Sequence, residues 1–555
     1  MKQEIEQAIV AAVKELFDVD ESAELSRPDE QFGDYSTNVA LRLAKQFGKN
    51  PREVAEQLSV KLRENLGDRV IDISVAGPGF INIRLSDATL LTGLTSSGQV
   101  PNTGKKILVE YSDPNPLKPL HAGHLYTTLV GDVIARLVES SGAETIRLNY
   151  GGDVGLHVGK SLWAIVRQLG GEYPEKLDEI PEPERPAWLG ARYVEGNDAY
   201  EDDETAKAEI IAVNKKVYGL HETGDRDSAF AHVYWTVRQW SYEYFAHLYD
   251  QLGVVPFDRF IPESEVTALG TQTVKEHTGS VYQESEGAVV FDGEAYGLHT
   301  RVFINSEGLP TYEAKEVGLL ETKWNDYHFD KSIVITANEQ AQYMQVVFKS
   351  IEQFQAEPIS RTTHLTHGFV KLTGGIKMSS RKGNIVSALD ILEVARAAGA
   401  KSGRTPDETV TLAAVKYAFL KNRIGADIVY DPEESIALEG NSGPYLQYAH
   451  ARARSILRKS ENQQGGLTDL EADERMLVRK LTEYPEVIAK AAQELLPHLI
   501  CTYLYELAQT FNRFYENNRV ISDPREASRL QLVTLYANTL KDGLGLLGIT
   551  APESM

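Results

Sequence analysis

A loop between an apolar strand and a long amphipathic helix constrains the fold of this chain more than any other feature. Residues 105–111, KKILVEY, have the pattern of a short buried strand, and apolar side chains then recur every three or four residues over 125–138. This spacing predicts a core-facing helix that ends near Gly142. A second β-type run follows at 145–150. Because a helical crossover normally joins parallel strands, the unit predicts a parallel α/β sheet.

The loop itself, EYSDPNPLKPLHAGH at 110–124, is predicted to bind a ligand. It follows a parallel strand at its carboxyl end, where open α/β sheets bind ligands. His121 and His124 lie at the helix start, where unpaired N–H groups and the positive end of the helix dipole attract phosphate. Gly123 leaves bare backbone that an adenine ring can approach. A pair of ordinary surface histidines is the alternative interpretation of this spacing.

A second candidate for phosphate binding is KMSSRKGN at 377–384, which follows another strand-like run at 364–370. Lys377, Arg381 and Lys382 supply three cations beside two hydroxyls, a set that suits a triphosphate whose leaving pyrophosphate gathers charge. A solvated basic loop is the alternative for this segment taken alone. Together with the HAGH loop, the segment favours an ATP site.

The two segments, in this order, resemble the HIGH and KMSKS motifs of the class I aminoacyl-tRNA synthetases. Further segments narrow the resemblance to the arginyl-tRNA synthetase family: SDPNPLKPLHAGHL, NYGGDVG, PTYEAKEVG and GPYLQYAHARAR, with GDYSTNVALRLAKQFGKNP and VAGPGFINI near the start. The resemblance implies ATP-dependent ligation of L-arginine to the 3′ end of tRNA(Arg) through an arginyl-adenylate. ATP is then a substrate that carries Mg²⁺, and neither a tightly bound cofactor nor a dedicated metal site is expected.

At 555 residues the chain is too long for one hydrophobic core, and we expect a multidomain α/β protein. A small α+β domain over 1–95 precedes a Rossmann-like, doubly wound parallel-sheet catalytic domain over 105–400, which carries an insertion at about 170–300. An all-α helical bundle over 405–555 follows, and no segment of it is typical of a strand. The resemblance implies that the first domain contacts the tRNA elbow and that the last contacts the anticodon.

Composition excludes several classes of protein. The single cysteine, Cys501, rules out a disulfide framework and a cysteine-based zinc site, and its helical pattern predicts that it is packed. No run is long and apolar enough to span a bilayer, and the first residues are too charged for a signal peptide, so a cytoplasmic protein without membrane contact is expected. A monomer is expected as well. The net charge of −23 does not exclude RNA, since affinity depends on local cationic surface.

The resemblance assigns the chemistry of ATP to the two motifs. Catalytic roles are implied for His121, His124, Lys118, Lys377, Arg381 and Lys382, and ATP contacts for His121, Gly123, His124, Lys118, Met378, Ser379 and Ser380. Ser380 departs from the family, because it occupies the position of the second KMSKS lysine. An ammonium is therefore missing where phosphate charge is greatest, and Lys118 is predicted to replace it, with support from Arg381 and Lys382.

A guanidinium is planar, always charged and carries five N–H donors, so a specific pocket needs carboxylates and a phenol as acceptors. The resemblance implies an arginine-binding set of Asp113, Pro114, Asn115, His124, Glu263, Tyr312, Glu316 and Gln340. Glu263, Tyr312 and Glu316 are placed at the guanidinium, and Asn115 and Gln340 at the α-amino and carboxylate end. Tyr312 and Glu316 share a face if their segment is helical. Glu316 departs from the family's usual aspartate and reaches about 1.5 Å further.

Aromatic side chains that stack unpaired bases, next to cations that hold phosphates, suit recognition of a single-stranded RNA loop. In the predicted bundle, Tyr445, Tyr448 and Arg452 match the family's anticodon-facing positions. Phe80 and Asn82 match the edge that meets the tRNA elbow. An ordinary helix with core tyrosines is the alternative for the first group.

Two other functions remain open from the sequence. A small-molecule adenylating enzyme of the HxGH superfamily shares the ATP chemistry, although it needs neither the first nor the last domain. A catalytically silent synthetase-like protein that only binds RNA is suggested by Ser380 and Glu316. Retention of both histidines, Lys118 and Asn115 speaks against a silent protein.

Overall fold

The computed structural model describes residues 1–95, 100–373, 387–401, 407–460 and 466–555. The first part of the chain folds as helices against a small antiparallel sheet of strand order β1-β3-β2. Its elements are α1 (Lys2–Phe17), β1 (Tyr35–Thr37), α2 (Val39–Phe47), α3 (Pro51–Leu66), β2 (Val70–Ala76), β3 (Phe80–Leu85) and α4 (Asp87–Gly93). The Asn50 side chain caps α3 by accepting the N–H of Arg52 at 3.0 Å, and Pro51 occupies the first helical position, where its missing N–H costs nothing.

A five-stranded parallel sheet of order β11-β10-β4-β5-β6 forms the centre of the molecule. The predicted strand, helix and strand of the HAGH unit are present, and β4 pairs in parallel with β5 as expected. The elements of this part are β4 (Lys106–Glu110), α5 (Ala122–Ser140), β5 (Glu144–Gly151), α6 (Leu156–Leu169), α7 (Arg185–Asp202), α8 (Glu204–Thr223), α9 (Ala229–Leu252), β6 (Arg259–Pro262), α10 (Glu263–Glu276), β7 (Gln283–Ser285), β8 (Ala288–Phe291), β9 (Arg301–Ile304), α11 (Tyr312–Tyr327), β10 (Lys331–Ala337), α12 (Ala341–Glu352), α13 (Ala356–Ser360), β11 (Thr362–His367) and β12 (Val370–Leu372).

Helices dominate the last part of the chain. The elements are α14 (Ala388–Lys401), α15 (Glu408–Leu420), β13 (Ile428–Tyr430), α16 (Pro432–Ser435), α17 (Gly443–Arg458), α18 (Ala472–Thr482), α19 (Tyr484–Glu494), α20 (His498–Asn517) and α21 (Glu526–Leu546). Cys501 is buried on α20, as predicted. The prediction that no strand follows residue 405 is wrong for β13, which pairs in parallel with β12. Its partner lies far upstream, so a three-residue strand leaves no local pattern.

Buried ion pairs join the first domain to the helical bundle. Arg475 of α18 donates to Asp34 at 2.8 Å and to Asp87 at 3.1 Å, and Asp34 is fully buried. Arg27 and the Tyr35 hydroxyl both donate to Glu486 of α19 at 2.6 Å. Within the described ranges, no helix combines the length and the apolarity needed to cross a bilayer.

Candidate active site

Three residues of the loop after β4 adopt a backbone conformation that is rare for residues other than glycine. Ser112, Asp113 and Leu117 have φ angles of 76°, 48° and 64°, in the left-handed region. Hydrogen bonds from other elements hold this conformation: Asp113 Oδ1 accepts the N–H of Tyr150 at 2.7 Å, and the Ser241 hydroxyl oxygen accepts the N–H of Leu117 at 2.9 Å. The loop is therefore fixed to β5 and α9, and backbone strain of this kind is concentrated at functional sites.

The two histidines of the HAGH segment form a reciprocal cap at the start of α5. His121 Nδ1 accepts the N–H groups of Gly123 and His124 at 3.1 and 3.3 Å, and His124 Nδ1 accepts the N–H of His121 at 3.3 Å. The N–H groups of Gly123 and His124 are therefore paired in this structure, contrary to expectation, while phosphate binding at this helix start stays a prediction. An imidazole nitrogen takes the acceptor role that a Ser or Asp side chain plays in a capping box.

This cap determines which nitrogen of each ring carries the proton. Because both Nδ1 atoms accept hydrogen bonds, each neutral ring carries its hydrogen on Nε2. Burial, helped by the nearby Lys118 ammonium, lowers the pKa of His121 to about 4, and burial also lowers the pKa of His124 well below its usual value. The stacked rings, with centroids 3.8 Å apart, are thus two neutral N–H donors.

Lys118 lies beside these donors. Burial lowers the pKa of its ammonium, which lies 5.1 Å from the centroid of the Tyr193 ring on α7. The structure therefore brings together the three predicted HAGH-side residues. Outside the described residues lie the other predicted ATP and catalytic residues: Lys377, Met378, Ser379, Ser380, Arg381 and Lys382. The chain that follows them meets the HAGH loop, since the N–H of Ala388 donates to the Leu120 carbonyl at 2.9 Å.

Two buried ion pairs lie close to the loop. Each contains a lysine that sequence reasoning did not identify. Lys315 of α11 donates to Glu263 at 2.5 Å, and Lys323 donates to Glu110 at 2.6 Å. All four side chains are buried. Lys315 precedes Glu316 in the chain, but only the tertiary contact with Glu263 distinguishes it from a surface lysine. Glu263 is therefore already neutralised within the protein.

Asp113 and Glu316 add two more carboxyl groups without ion-pair partners in the described part of the chain. Burial, followed by repulsion from Glu110, raises the pKa of Glu316 to about 8, although a hydrogen bond with Tyr343 opposes the shift. Burial and Glu110 also raise the pKa of Asp113. Four carboxyl groups thus share two ammonium groups, and a cationic ligand would restore the balance.

Asn115, Glu263 and Tyr312 gather around Gly152. Asn115 Oδ1 accepts the N–H of Gly152 at 3.0 Å, and a Cβ atom at Gly152 would lie 2.5 Å from that oxygen and 2.9 Å from Glu263 Oε1. The Gly152 carbonyl lies 2.7 Å from Nε2 of His157, whose Nδ1 lies 3.0 Å from the Tyr312 hydroxyl. Sequence reasoning did not identify His157, which is the second residue of α6 and belongs to no motif.

The remaining arginine candidates differ in their burial. Tyr312 and Glu316 both belong to α11, as the predicted shared face requires, and Tyr312 is exposed. Pro114 is buried in the loop, with its carbonyl oxygen 2.9 Å from the position of a Cβ atom at Gly151. Gln340 is exposed just after β10. Among the described residues, no group of three or more His, Cys, Asp or Glu side chains is arranged to hold a metal ion.

The candidate tRNA contacts lie on α17 and on the β2–β3 hairpin. On α17, Tyr448 is exposed, Tyr445 accepts a hydrogen bond from the Asn512 amide at 2.9 Å, and the Arg452 guanidinium lies 4.7 Å from the Tyr515 ring centroid. These side chains combine exposed aromatic surface with a cation. At the β2–β3 hairpin, Phe80 is exposed and Asn82 is buried on the central strand. Both groups stay predictions.

Three family models match successive parts of the chain. The arginyl tRNA synthetase N terminal domain matches residues 2–85, and the catalytic domain of class I (R) tRNA synthetases matches residues 88–431. The DALR anticodon binding domain matches residues 446–555. The order of these domains agrees with the predicted fold class, an α/β catalytic domain between a small domain and a helical bundle.

Individual relatives extend along the whole chain. The arginine–tRNA ligase of Frankia casuarinae is 31% identical over 100% of this chain and 98% of its own length, and that of Bdellovibrio bacteriovorus is 30% identical over 95% and 93%. The structure of Thermus thermophilus arginyl-tRNA synthetase superposes with a TM-score of 0.81 and 27% identity, covering 100% of both chains. Since the catalytic-domain model alone matches more than half of the chain, the chain belongs to the arginyl-tRNA synthetase family of class I.

Proposed function

We propose that the protein is an arginine–tRNA ligase, which activates L-arginine with ATP and transfers the arginyl group to the 3′ end of tRNA(Arg). The observation that carries this proposal is the acidic pocket beside the HAGH loop, where two carboxyl groups form no ion pair within the described part of the chain and the neighbouring donors suit phosphate. A guanidinium supplies the missing charge. The matched family models support the ligase activity, and the pocket supports the choice of amino acid.

The carboxyl groups suggest how arginine lies in the pocket. Because Lys315 already neutralises Glu263, Glu316 provides the charge for the guanidinium, and Glu263 and Tyr312 provide further acceptors. Asn115 Oδ1 is occupied by Gly152, which leaves the amide N–H₂ to bind the substrate carboxylate. The rest of the proposed set surrounds the α-amino and carboxylate end: Asp113, Pro114, His124 and Gln340.

The HAGH side then performs the phosphate chemistry. The arginine carboxylate attacks the α-phosphate of ATP, and pyrophosphate leaves, so negative charge grows on the phosphate oxygens. The Nε2–H groups of His121 and His124 and the ammonium of Lys118 are donors for those oxygens, and Gly123 leaves room for adenine. Lys377, Arg381 and Lys382 are proposed to assist from the second motif, with contacts from Met378, Ser379 and Ser380. Mg²⁺ accompanies the ATP.

The tRNA is proposed to span both outer domains. Tyr445, Tyr448 and Arg452 would meet the anticodon loop, and Phe80 and Asn82 the tRNA elbow. A cytoplasmic location and a monomeric state remain predictions of the sequence.

ATP–pyrophosphate exchange, measured with arginine in the presence and absence of tRNA(Arg), tests this function. We expect exchange with arginine and not with lysine, and the family resemblance implies that it depends on tRNA. Exchange that does not respond to tRNA would favour a small-molecule adenylating enzyme. Tight tRNA binding without exchange in either condition would favour a silent RNA-binding protein.

A further inference from the structure

We propose that His157 is a positioning residue that makes the Tyr312 hydroxyl an obligatory hydrogen-bond acceptor toward the amino-acid ligand and thereby selects a guanidinium. The inference rests on the proposed arginine site, and it concerns a residue that neither the HAGH nor the KMSSRK segment contains. His157 lies in the first turn of α6, and 155 residues separate it from Tyr312 at the start of α11.

Hydrogen-bond chemistry fixes the direction of each contact. The Gly152 carbonyl, 2.7 Å from His157 Nε2, can only accept, so Nε2 carries the ring hydrogen. Nδ1 then has a lone pair and no hydrogen. The Tyr312 hydroxyl, 3.0 Å from Nδ1, must therefore donate its hydrogen to the ring.

The pocket keeps His157 in this state. Burial and the positive charges of Lys315 and Lys118 lower the pKa of the ring to about 3, against a smaller opposing effect of Asp153 and of the bond to Gly152. The ring therefore stays neutral at any pH at which the enzyme would be assayed. Lys315 also lies 4.9 Å from the centroid of the Tyr312 ring and is held there by Glu263.

The consequence concerns what the phenol can offer a ligand. A phenol has one hydrogen, and once His157 accepts it only the lone pairs of Tyr312 face the pocket. A guanidinium has donors and no acceptor, so it satisfies these lone pairs. The ureido group of citrulline has a carbonyl oxygen in place of one guanidinium nitrogen, and that oxygen would face a lone pair. An analogue whose oxygen faces these lone pairs makes no hydrogen bond to Tyr312, so the site should reject it.

Two substitutions separate the acceptor from the donor of the His157 ring. In His157→Gln the amide nitrogen replaces Nε2 and keeps the bond to Gly152, but nothing replaces Nδ1 and the Tyr312 hydroxyl is free to rotate. In His157→Asn the amide oxygen replaces Nδ1 and keeps the acceptor for Tyr312. A merely structural role of His157, which anchors α6 to Gly152, predicts the opposite ranking.

Steady-state aminoacylation by the full chain, with arginine and with citrulline, tests the proposal. For His157→Gln we expect the KM for arginine to rise about tenfold, the KM for ATP to stay within about twofold, and the preference for arginine over citrulline to fall about tenfold. His157→Asn should keep the KM for arginine within about threefold of the wild type. In a Tyr312→Phe background, His157→Gln should change the KM for arginine by less than about twofold.

Equal effects of His157→Gln with and without the Tyr312 hydroxyl would overturn the proposal, as would greater damage by Asn than by Gln. If the variants do not fold, the ¹⁵N resonances of histidine-labelled wild-type protein decide: Nε2–H at His157 supports the proposal and Nδ1–H contradicts it. Failure of the proposed function is distinguishable, because the wild-type chain would then not charge arginine at all.

Discussion

At the scale of single residues, the protonation state of Glu316 determines the charge of the proposed site. Glu316 keeps its proton up to a pH of about 8 in the free protein, because burial and Glu110 oppose its charge. In the proposed site a guanidinium beside Glu316 favours the ionised form, so arginine binding is expected to release that proton at lower pH. Binding of a cationic ligand is therefore expected to be coupled to deprotonation of Glu316.

This coupling predicts that arginine binds more tightly as the pH rises. Between pH 6 and about 8 the free protein binds one more proton than the complex, so the dissociation constant should fall by up to about tenfold per pH unit and level off above that. Isothermal titration in buffers of different ionisation heat should detect release of nearly one proton near pH 7. Glu316→Gln should bind more weakly and release fewer protons than the wild type. Absence of proton release in the wild type would contradict the prediction.

The double role of His121, as helix cap and as N–H donor, predicts that stability and activity respond differently to substitution. His121→Asn keeps an acceptor for the N–H groups of Gly123 and His124, so the free energy of unfolding should change little, whereas His121→Ala should lose about 1 kcal/mol. Both variants lose the Nε2–H donor, and both should slow adenylate formation about 100-fold. Thermal unfolding and pyrophosphate exchange measure the two effects. Normal exchange by His121→Asn would mean that the ring acts only as a cap.

Lys118 is predicted to act in adenylate formation and not in tRNA binding. Because its ammonium lies beside the two histidine donors and no lysine stands at position 380, Lys118→Ala should cut pyrophosphate exchange at least about 100-fold while the dissociation constant for tRNA stays within about twofold. Lys105→Ala, which removes an exposed lysine of the same domain, is the matched control. An unchanged turnover number in Lys118→Ala would disprove the assignment.

At the scale of elements, local patterns predicted local structure. Apolar spacing predicted α5, because helix periodicity involves neighbours in sequence. The strand β13 was not predicted, since three residues that pair with β12 carry no pattern of their own.

The candidate site also combines features that local sequence patterns predict with features that depend on contacts distant in sequence. Motif resemblance predicts site residues on the HAGH loop and on α11, whereas Lys315, Lys323 and His157 stand out only through their contacts with elements distant in sequence. The charge balance of the pocket, two ammonium groups against four carboxyl groups, depends on those contacts. It could not be derived from spacing.

The close approach of β5 to the loop predicts that Gly152 tolerates no side chain. A methyl group there would lie 2.5 Å from Asn115 Oδ1 and 2.9 Å from Glu263 Oε1, so one of the two must move. Gly152→Ala should raise the KM for arginine at least about tenfold and change the KM for ATP much less, since small displacements of positioning groups are costly. Gly219→Ala, on α8 with nothing within 4 Å of the new methyl group, is the control and should leave both constants unchanged. Equal effects of the two substitutions would contradict this account.

At the scale of the whole molecule, the first domain and the helical bundle are held together by charge as well as by apolar packing. Asp34 accepts the N–H of Leu85 at 2.7 Å within its own domain and two N–H groups of Arg475 across the junction. A buried pair of this kind adds little net stability, but the loss of one partner leaves an uncompensated charge. The relative position of the two proposed tRNA-binding surfaces therefore depends on this junction.

This dependence predicts a loss of tRNA affinity that a second substitution partly restores. Asp34→Ala leaves Arg475 buried without its main partner, so the free energy of unfolding should fall by about 3 kcal/mol, and the dissociation constant for tRNA should rise about tenfold as the domains loosen. Asp34→Ala combined with Arg475→Met removes both charges and should recover part of both losses. Asp18→Asn, in an exposed pair with Lys14, should change neither quantity measurably. If the double variant were as defective as Asp34→Ala, the buried charge would not be the cause, and the Asp34 bond to Leu85 inside the first domain would account for the loss instead.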